Sequence, residues 1–211
     1  ALPISRTLIV SSGMVYRGQS GPIDESAPLG PASPYALSKL AEEQLALHAA
    51  ATDGLAIIVA RPFNHIGPGQ APTFAASSFA RQIARIEIGA AAPQLAVGNL
   101  DAERDLTDVR DVVAAYVALM AGGAPGTAYN VCRGSVVRMS DVLDRLIARA
   151  RVSVTRVTDP ARLRPNDLPT LCGDPGRLTR DTGWAPTIPL DVTLGDLLDD
   201  WRRRVAAEPG A

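Results

Sequence analysis

The sequence predicts an α/β fold around a parallel sheet, and three observations carry that prediction. Residues 6–12 (RTLIVSS) and 54–64 (GLAIIVARPFN) are nearly unbroken runs of β-branched and other apolar residues, as in strands covered on both faces. A helical pattern separates them, so strand, helix and strand make one βαβ crossover and the two strands run parallel. A third run, 126–132 (GTAYNVC), follows a second helical stretch and extends the same scheme.

Taken in order, the first strand gives way to a loop rich in Gly, Pro and Ser over 17–34. A helix then begins at about Ser33, with Pro34 suited to its first turn and Leu37, Leu40, Leu45 and Leu47 as its apolar residues, interleaved with Glu42 and Glu43. Beyond the second strand, residues 74–89 (FAASSFARQIARIEIG) read as a helix, and Asp111 is placed to cap the next one, 112–122. After the third strand the pattern predicts a helix opening at Ser140-Asp141 and a short strand within 151–158. A Pro-rich connection and a final amphipathic helix over 192–205 complete the chain. Neither repeats nor low-complexity tracts interrupt it.

Composition excludes several function classes. At 211 residues, 46% hydrophobic and 20% charged, the chain can bury a sizeable core. A net charge of −1, with basic residues dispersed except in WRRR near the end, argues against nucleic acid as a partner. No apolar run approaches the roughly 20 residues of a membrane helix, and the N-terminus carries no secretory pattern, so a soluble, cytoplasmic protein is expected. Cys132 and Cys172 lack metal-site spacing and suit buried reduced thiols better than a disulfide. No metal site is predicted.

The chemistry centres on Tyr35 and Lys39. Four residues apart on a helix, they share a face, and an ammonium beside a phenol favours its ionised form, which suits it to proton transfer. By itself the pair equally suits a packed ring and a solvated cation. Ser11 and Ser12 end the first strand, where parallel α/β sheets present groups to ligands, and the crossover returns the Tyr35 helix to that end. Ser12 alternatively satisfies nearby backbone.

Five segments, VSSGMVY (10–16), SPYALSK (33–39), RPFNHIGPGQ (61–70), RDLTDVRDVV (104–113) and YNVC (129–132), occur in an order that resembles the extended short-chain dehydrogenase/reductases acting on nucleotide sugars, the NAD-dependent epimerase/dehydratase family. The resemblance implies that Tyr35 is the acid/base, that Lys39 holds the nicotinamide ribose and tunes Tyr35, and that Ser12 holds the substrate oxygen. Pro62 and Phe63 correspond to backbone bordering the nicotinamide of NADP or NAD. Asn64 corresponds to an asparagine bonded to the nucleotide sugar, and Arg104 and Arg164 to arginines that grip its diphosphate, a task suited to a planar, permanent cation. The wording of 61–70, 98–105 and 164–190 is most similar to the GDP-sugar branch, the GDP-4-dehydro-6-deoxy-mannose reductases and their dehydratase relatives.

The resemblance therefore implies reduction of a 4-keto-6-deoxy sugar carried on a nucleotide, with a homodimer joined through the Tyr35 helix and its neighbour. The implied architecture is an incomplete Rossmann-like parallel sheet, formed by 1–64 and 104–132, interleaved with a smaller α/β nucleotide-sugar lobe of 65–103 and 133–211. Met14 stands where the dehydratases carry the glutamate of their elimination step, and a thioether does no acid/base work. An epimerase needs only the Ser/Tyr/Lys set and is the alternative within the family. Arg17 replaces the glycine usual after VY, leaving the local turn open. The glycine-rich turn that seats the cofactor's pyrophosphate on a helix N-terminus is not in this sequence, which corresponds to the family's fifth strand onward. A truncated, non-catalytic interaction module is the rival from another class, its apolar first strand exposed for pairing.

Overall fold

The computed structural model describes residues 5–163 and 169–208. Its strands are β1 (Thr7–Val10), β2 (Ile57–Pro62), β3 (His65–Ile66), β4 (Gln94–Val97), β5 (Glu103–Asp105), β6 (Thr107–Asp108), β7 (Thr127–Val131), β8 (Val136–Arg138), β9 (Thr155–Thr158) and β10 (Thr170–Leu171). Its helices are α1 (Pro34–Asp53), α2 (Ala75–Glu87), α3 (Val109–Gly122), α4 (Met139–Ile147), α5 (Gly176–Thr182) and α6 (Leu190–Ala206). The α/β class and the strand–helix–strand start are as expected. The chain divides into two compact units, Ala1–His65 with Asp105–Val136 and Leu171–Thr187, and Ile66–Arg104 with Val137–Thr170 and Ile188–Ala211.

The first unit holds a parallel sheet in the order β1-β2-β7, registered Thr7 to Ile57 and Ile58 to Thr127. β2 is buried along its whole length, which accounts for its unbroken apolar sequence. Alternation along β2 sends Ile58 and Ala60 into a core with Val112, Ala115 and Leu119 of α3, Tyr129 and Val131 of β7, and Leu178 and Trp184. Arg61, out of phase with them, meets α1 instead through Glu43.

Residues 171–187 pack with this sheet, whereas a boundary at 133 assigns them elsewhere. Leu178 and Trp184 bury in the core, the Trp184 indole N–H donates to the Asp111 carbonyl (3.0 Å), and Thr187 gives its N–H and Oγ1 to the Asp111 carboxylate (3.1 and 3.0 Å). Asp111 is thus a tie and not a cap. The N-cap of α3 is Asp108, whose carboxylate accepts from the Arg110 N–H at 2.8 Å.

α1 departs most from expectation. Its ends are conventional, with Ser33 Oγ accepting from the Ala36 N–H and Gly54 closing it in the left-handed region at φ 68°. Yet Leu37 and Leu45 are 59% and 71% exposed, while Glu43 is fully buried. Leu40 and Leu47 are half-buried and Glu42 is exposed, so Glu43 is the one expected polar position that turns fully inward, where it meets Arg61.

In the second unit β4 and β9 pair in parallel, and α2 packs against α6. α6 buries Leu194, Leu197, Leu198, Trp201 and Val205, the face its sequence predicts. The Trp201 indole N–H donates to Ser77 Oγ (2.8 Å) and the Arg204 guanidinium lies 3.7 Å from the ring centroid. Arg202 pairs with Glu87 and Asp199, and Arg203 with Asp200, so the basic WRRR segment is neutralised at home. Among the described residues no helix is long and apolar enough to cross a membrane. Both cysteines are buried free thiols, which burial makes weaker acids.

Candidate active site

β1 ends at Val10, and Ser11 continues the ladder by donating its N–H to the Ala60 carbonyl (2.8 Å). Ser12 then opens a 3-10 turn over Gly13–Val15, its Oγ accepting from the Met14 N–H at 3.1 Å. This local bond is the structural role weighed for Ser12, and it engages only the oxygen. The hydroxyl proton is left to donate elsewhere. The neighbouring Ser11 hydroxyl is buried and meets no hydrogen-bond partner among the described residues.

Tyr35 occupies the first turn of α1 and is 56% exposed. Lys39, one turn on, reaches back to the sheet, its ammonium donating to the Val10 carbonyl (3.0 Å) and to Glu42 (2.9 Å). An ammonium has three donors, so one remains. The Lys39–Val10 bond fixes the start of α1 to the strand end that carries Ser12, and the helix also packs on the 3-10 turn. On α3, Tyr116 is pushed up to about 12, first by burial and then by the nearby Tyr35 phenol.

Across the sheet, Pro62 closes β2 and the Phe63 N–H donates to the Val131 carbonyl (2.9 Å). The Phe63 ring is buried between two glycines. A Cβ on Gly13 would stand 2.9 Å from the ring, and one on Gly173 2.8 Å from it and 2.6 Å from Cys132 Sγ. Glycine at 13 therefore lets the Ser12 turn close onto the strand exit. Asn64 is half-buried, and its carbonyl accepts from the Thr107 N–H (3.0 Å). Asp105 ties three segments by accepting from the Arg133, Gly134 and Gly173 N–H groups. Burial raises this carboxylate's pKa against the pull of those bonds.

Arg17 adopts ordinary backbone, since among the described residues only glycines have positive φ. Its place in the turn is made by Gly30 opposite, where a Cβ would come within 3.0 Å of the Arg17 Cβ. Met14 projects from the turn 39% exposed.

Ser12, Tyr35, Lys39, Pro62, Phe63 and Asn64 all lie in the sheet-bearing unit. Arg104 lies in the other, where its Nη1 donates to the Glu103 carbonyl (2.7 Å). Arg164 is outside the described residues. Sequence reasoning passed over Glu43, Arg61, Tyr16 and Asn130, which form one buried polar network in the first unit. Its signal was Arg61 itself, a cation inside an otherwise apolar strand.

Comparison with known proteins shows the family. The family model for GDP-mannose 4,6 dehydratase matches residues 3–197. The chain is 44% identical over 205 residues to GDP-6-deoxy-D-mannose reductase of Pseudomonas aeruginosa, covering 95% of itself and 67% of that protein. It is 26% identical to GDP-mannose 4,6-dehydratase of Yersinia enterocolitica, covering 85% of itself and 56% of that protein. Among solved structures, RMD from Pseudomonas aeruginosa complexed with NADPH superimposes with a TM-score of 0.90 at 42% identity, over 95% of this chain and 68% of that one.

Proposed function

The chain belongs to the GDP-mannose 4,6 dehydratase family, and from that membership we propose that it forms the substrate-facing part of an NAD(P)H-dependent reductase of a nucleotide-linked 4-keto-6-deoxy sugar, with a GDP-sugar favoured. The observation that carries the reading is the Lys39 bond to Val10, which gathers the cation, the Tyr35 helix and the Ser12 strand end.

The residues divide the work. Ser12 donates a hydrogen bond from its hydroxyl to the sugar's carbonyl oxygen, and Tyr35 transfers the one proton that turns that oxygen into an alcohol. Lys39 binds the nicotinamide ribose through its remaining donor. Asn64 bonds the sugar nucleotide, and Arg104 and Arg164 hold its diphosphate.

The donors present suit the nicotinamide end of the cofactor, since Tyr35 is accessible, Lys39 keeps a donor and the Ser11 hydroxyl is unmatched among the described residues. When bound, the nicotinamide would supply the hydride for the reduction of the sugar carbonyl. Tyr35, Lys39 and the Pro62-Phe63 backbone would border it, while the sequence contains no glycine-rich turn for the pyrophosphate. NADPH is favoured, following the reductase structure that contains it. Met14, at the turn, offers no base for elimination, which favours reduction over the dehydration that gives the family its name.

Leu37 and Leu45 on α1 and Val113, Val117 and Met120 on α3 are exposed apolar side chains, and a second copy of the chain covers them in a homodimer. Buried free thiols and the modest net charge suit a cytoplasmic enzyme without a nucleic-acid partner. The test is to express the complete gene product and follow nicotinamide oxidation with GDP-, UDP- and dTDP-linked 4-keto-6-deoxy sugars. The highest kcat/KM is expected with GDP and NADPH, and no oxidation with any of the three by folded protein refutes the reading.

A further inference from the structure

Glu43 and Arg61 are 0% and 4% exposed, an ion pair in the interior of the sheet-bearing unit. The guanidinium spends its fork on one carboxylate, with Nε donating to Glu43 Oε2 at 3.0 Å and Nη2 to Glu43 Oε1. Its Nη1 donates to Tyr16 Oη at 2.6 Å. Burial, outweighing Arg61 beside it, pushes the Tyr16 phenol up to about 12, so it keeps its proton and donates it to Asn130 Oδ1 at 2.8 Å. Asn130 faces Arg61 in the β2–β7 register, and its Nδ2 donates to the Ile23 carbonyl at 2.8 Å.

The segments so linked are the ones that carry the candidate site. Glu43 is one helical turn beyond Lys39 and two beyond Tyr35, Arg61 precedes Phe63 and Asn64, and Tyr16 closes the turn that Ser12 opens. A buried pair is a poor device for stability alone, because apolar residues of equal volume commonly serve as well. What a bidentate fork adds is a fixed distance and angle between the elements it joins. The network also explains why α1 buries a glutamate.

We propose that Glu43, Arg61 and Tyr16 are positioning residues, setting α1 against the ends of β1 and β2 so that Tyr35 and Lys39 are aligned with Ser12 and Asn64. The proposal rests on the reductase reading for its catalytic consequence. A misplacement of about 1 Å costs on the order of 10²-fold in rate, so the effect belongs in kcat.

The experiment uses two variants of the complete gene product. Tyr16→Phe keeps the ring and removes one hydroxyl, and the double variant Glu43→Met/Arg61→Leu replaces the pair by apolar volume. Expected are a fall in kcat of about tenfold for the first and about 10²-fold for the second, with KM for the sugar nucleotide within about twofold. Amide hydrogen exchange should quicken about tenfold in residues 12–16 and 33–39 and stay unchanged in α2 and α6. Wild-type kcat in either folded variant overturns the proposal, and if the double variant fails to fold, Tyr16→Phe decides. If the wild-type protein shows no reductase turnover, the functional reading fails separately. Exchange then judges the network, and unchanged exchange at 12–16 and 33–39 in Tyr16→Phe overturns it.

Discussion

Helices α1 and α6 have similar lengths, 20 and 17 residues, and opposite designs. α6 buries Leu194, Leu197, Leu198, Trp201 and Val205 and leaves its arginines to pair along the surface. α1 fully buries little besides Ala36 and Glu43, exposes two leucines, and places Tyr35 and Lys39 at its start. The difference teaches that hydrophobic burial fixes α6, whereas α1 is fixed by directed polar contacts, Lys39 to Val10 and Glu43 to Arg61. A helix held this way can carry reactive groups whose placement matters more than the area they cover.

Four substitutions sharpen or break that contrast. The largest effect is expected from Tyr35→Phe on α1, which should lower kcat by about 10²–10⁴-fold while leaving sugar-nucleotide binding nearly unchanged, as measured by steady-state kinetics and calorimetry. On α6, Trp201→Ala should cost about 3–5 kcal/mol of stability in denaturant unfolding of the second unit, because it removes a buried ring and its bond to Ser77. Leu45→Ala, on the exposed face of α1, should change intrinsic stability by less than about 0.5 kcal/mol but weaken self-association in sedimentation measurements. A loss comparable to that of Trp201→Ala at matched dimer occupancy would erase the distinction between the helices.

The smallest effect concerns pH. Burial pushes the Glu87 pKa up, but its bonds from Arg202 and the Arg151 N–H prevail, so its pKa lies below the ordinary carboxylate value. A depressed folded-state pKa contributes stability above the unfolded-state value of about 4.3 and loses it as pH falls through the folded-state value. Glu87→Gln should therefore flatten the acid limb of the stability curve for the α2–α6 pair, seen in thermal melts from neutral pH down into that range.

Much of this was legible in the sequence. β2 announced itself as an unbroken apolar run because it is covered on both faces, and the Ser33-Pro34 start of α1 followed from capping chemistry alone. The candidate site was read mainly from five segments, and Lys39 contacts the strand that the crossover argument placed beside its helix. The rest was hidden for specific reasons. The buried face of α1 could not be read from leucine spacing, because its deepest partner is Arg61, a residue distant in sequence. The cap of α3 was misread because Asp108 and Asp111 both satisfy the local rule, and only Trp184 and Thr187 show which one is otherwise engaged. The turn at Arg17 was left open, because the room for its side chain is made by Gly30, a residue thirteen positions on.

The central claim is that Ser12, Tyr35 and Lys39 surround one sugar carbonyl during its reduction. Its most direct test is to supply the complete gene product with nicotinamide deuterated at the transferring position and a GDP-linked 4-keto-6-deoxy sugar, and to locate the label in the product by NMR. The account predicts a single deuterium on sugar C4 beside a new hydroxyl. It also predicts that the label appears far more slowly with Tyr35→Phe. Unlabelled product, label at another carbon, or an undiminished rate in the variant would contradict it.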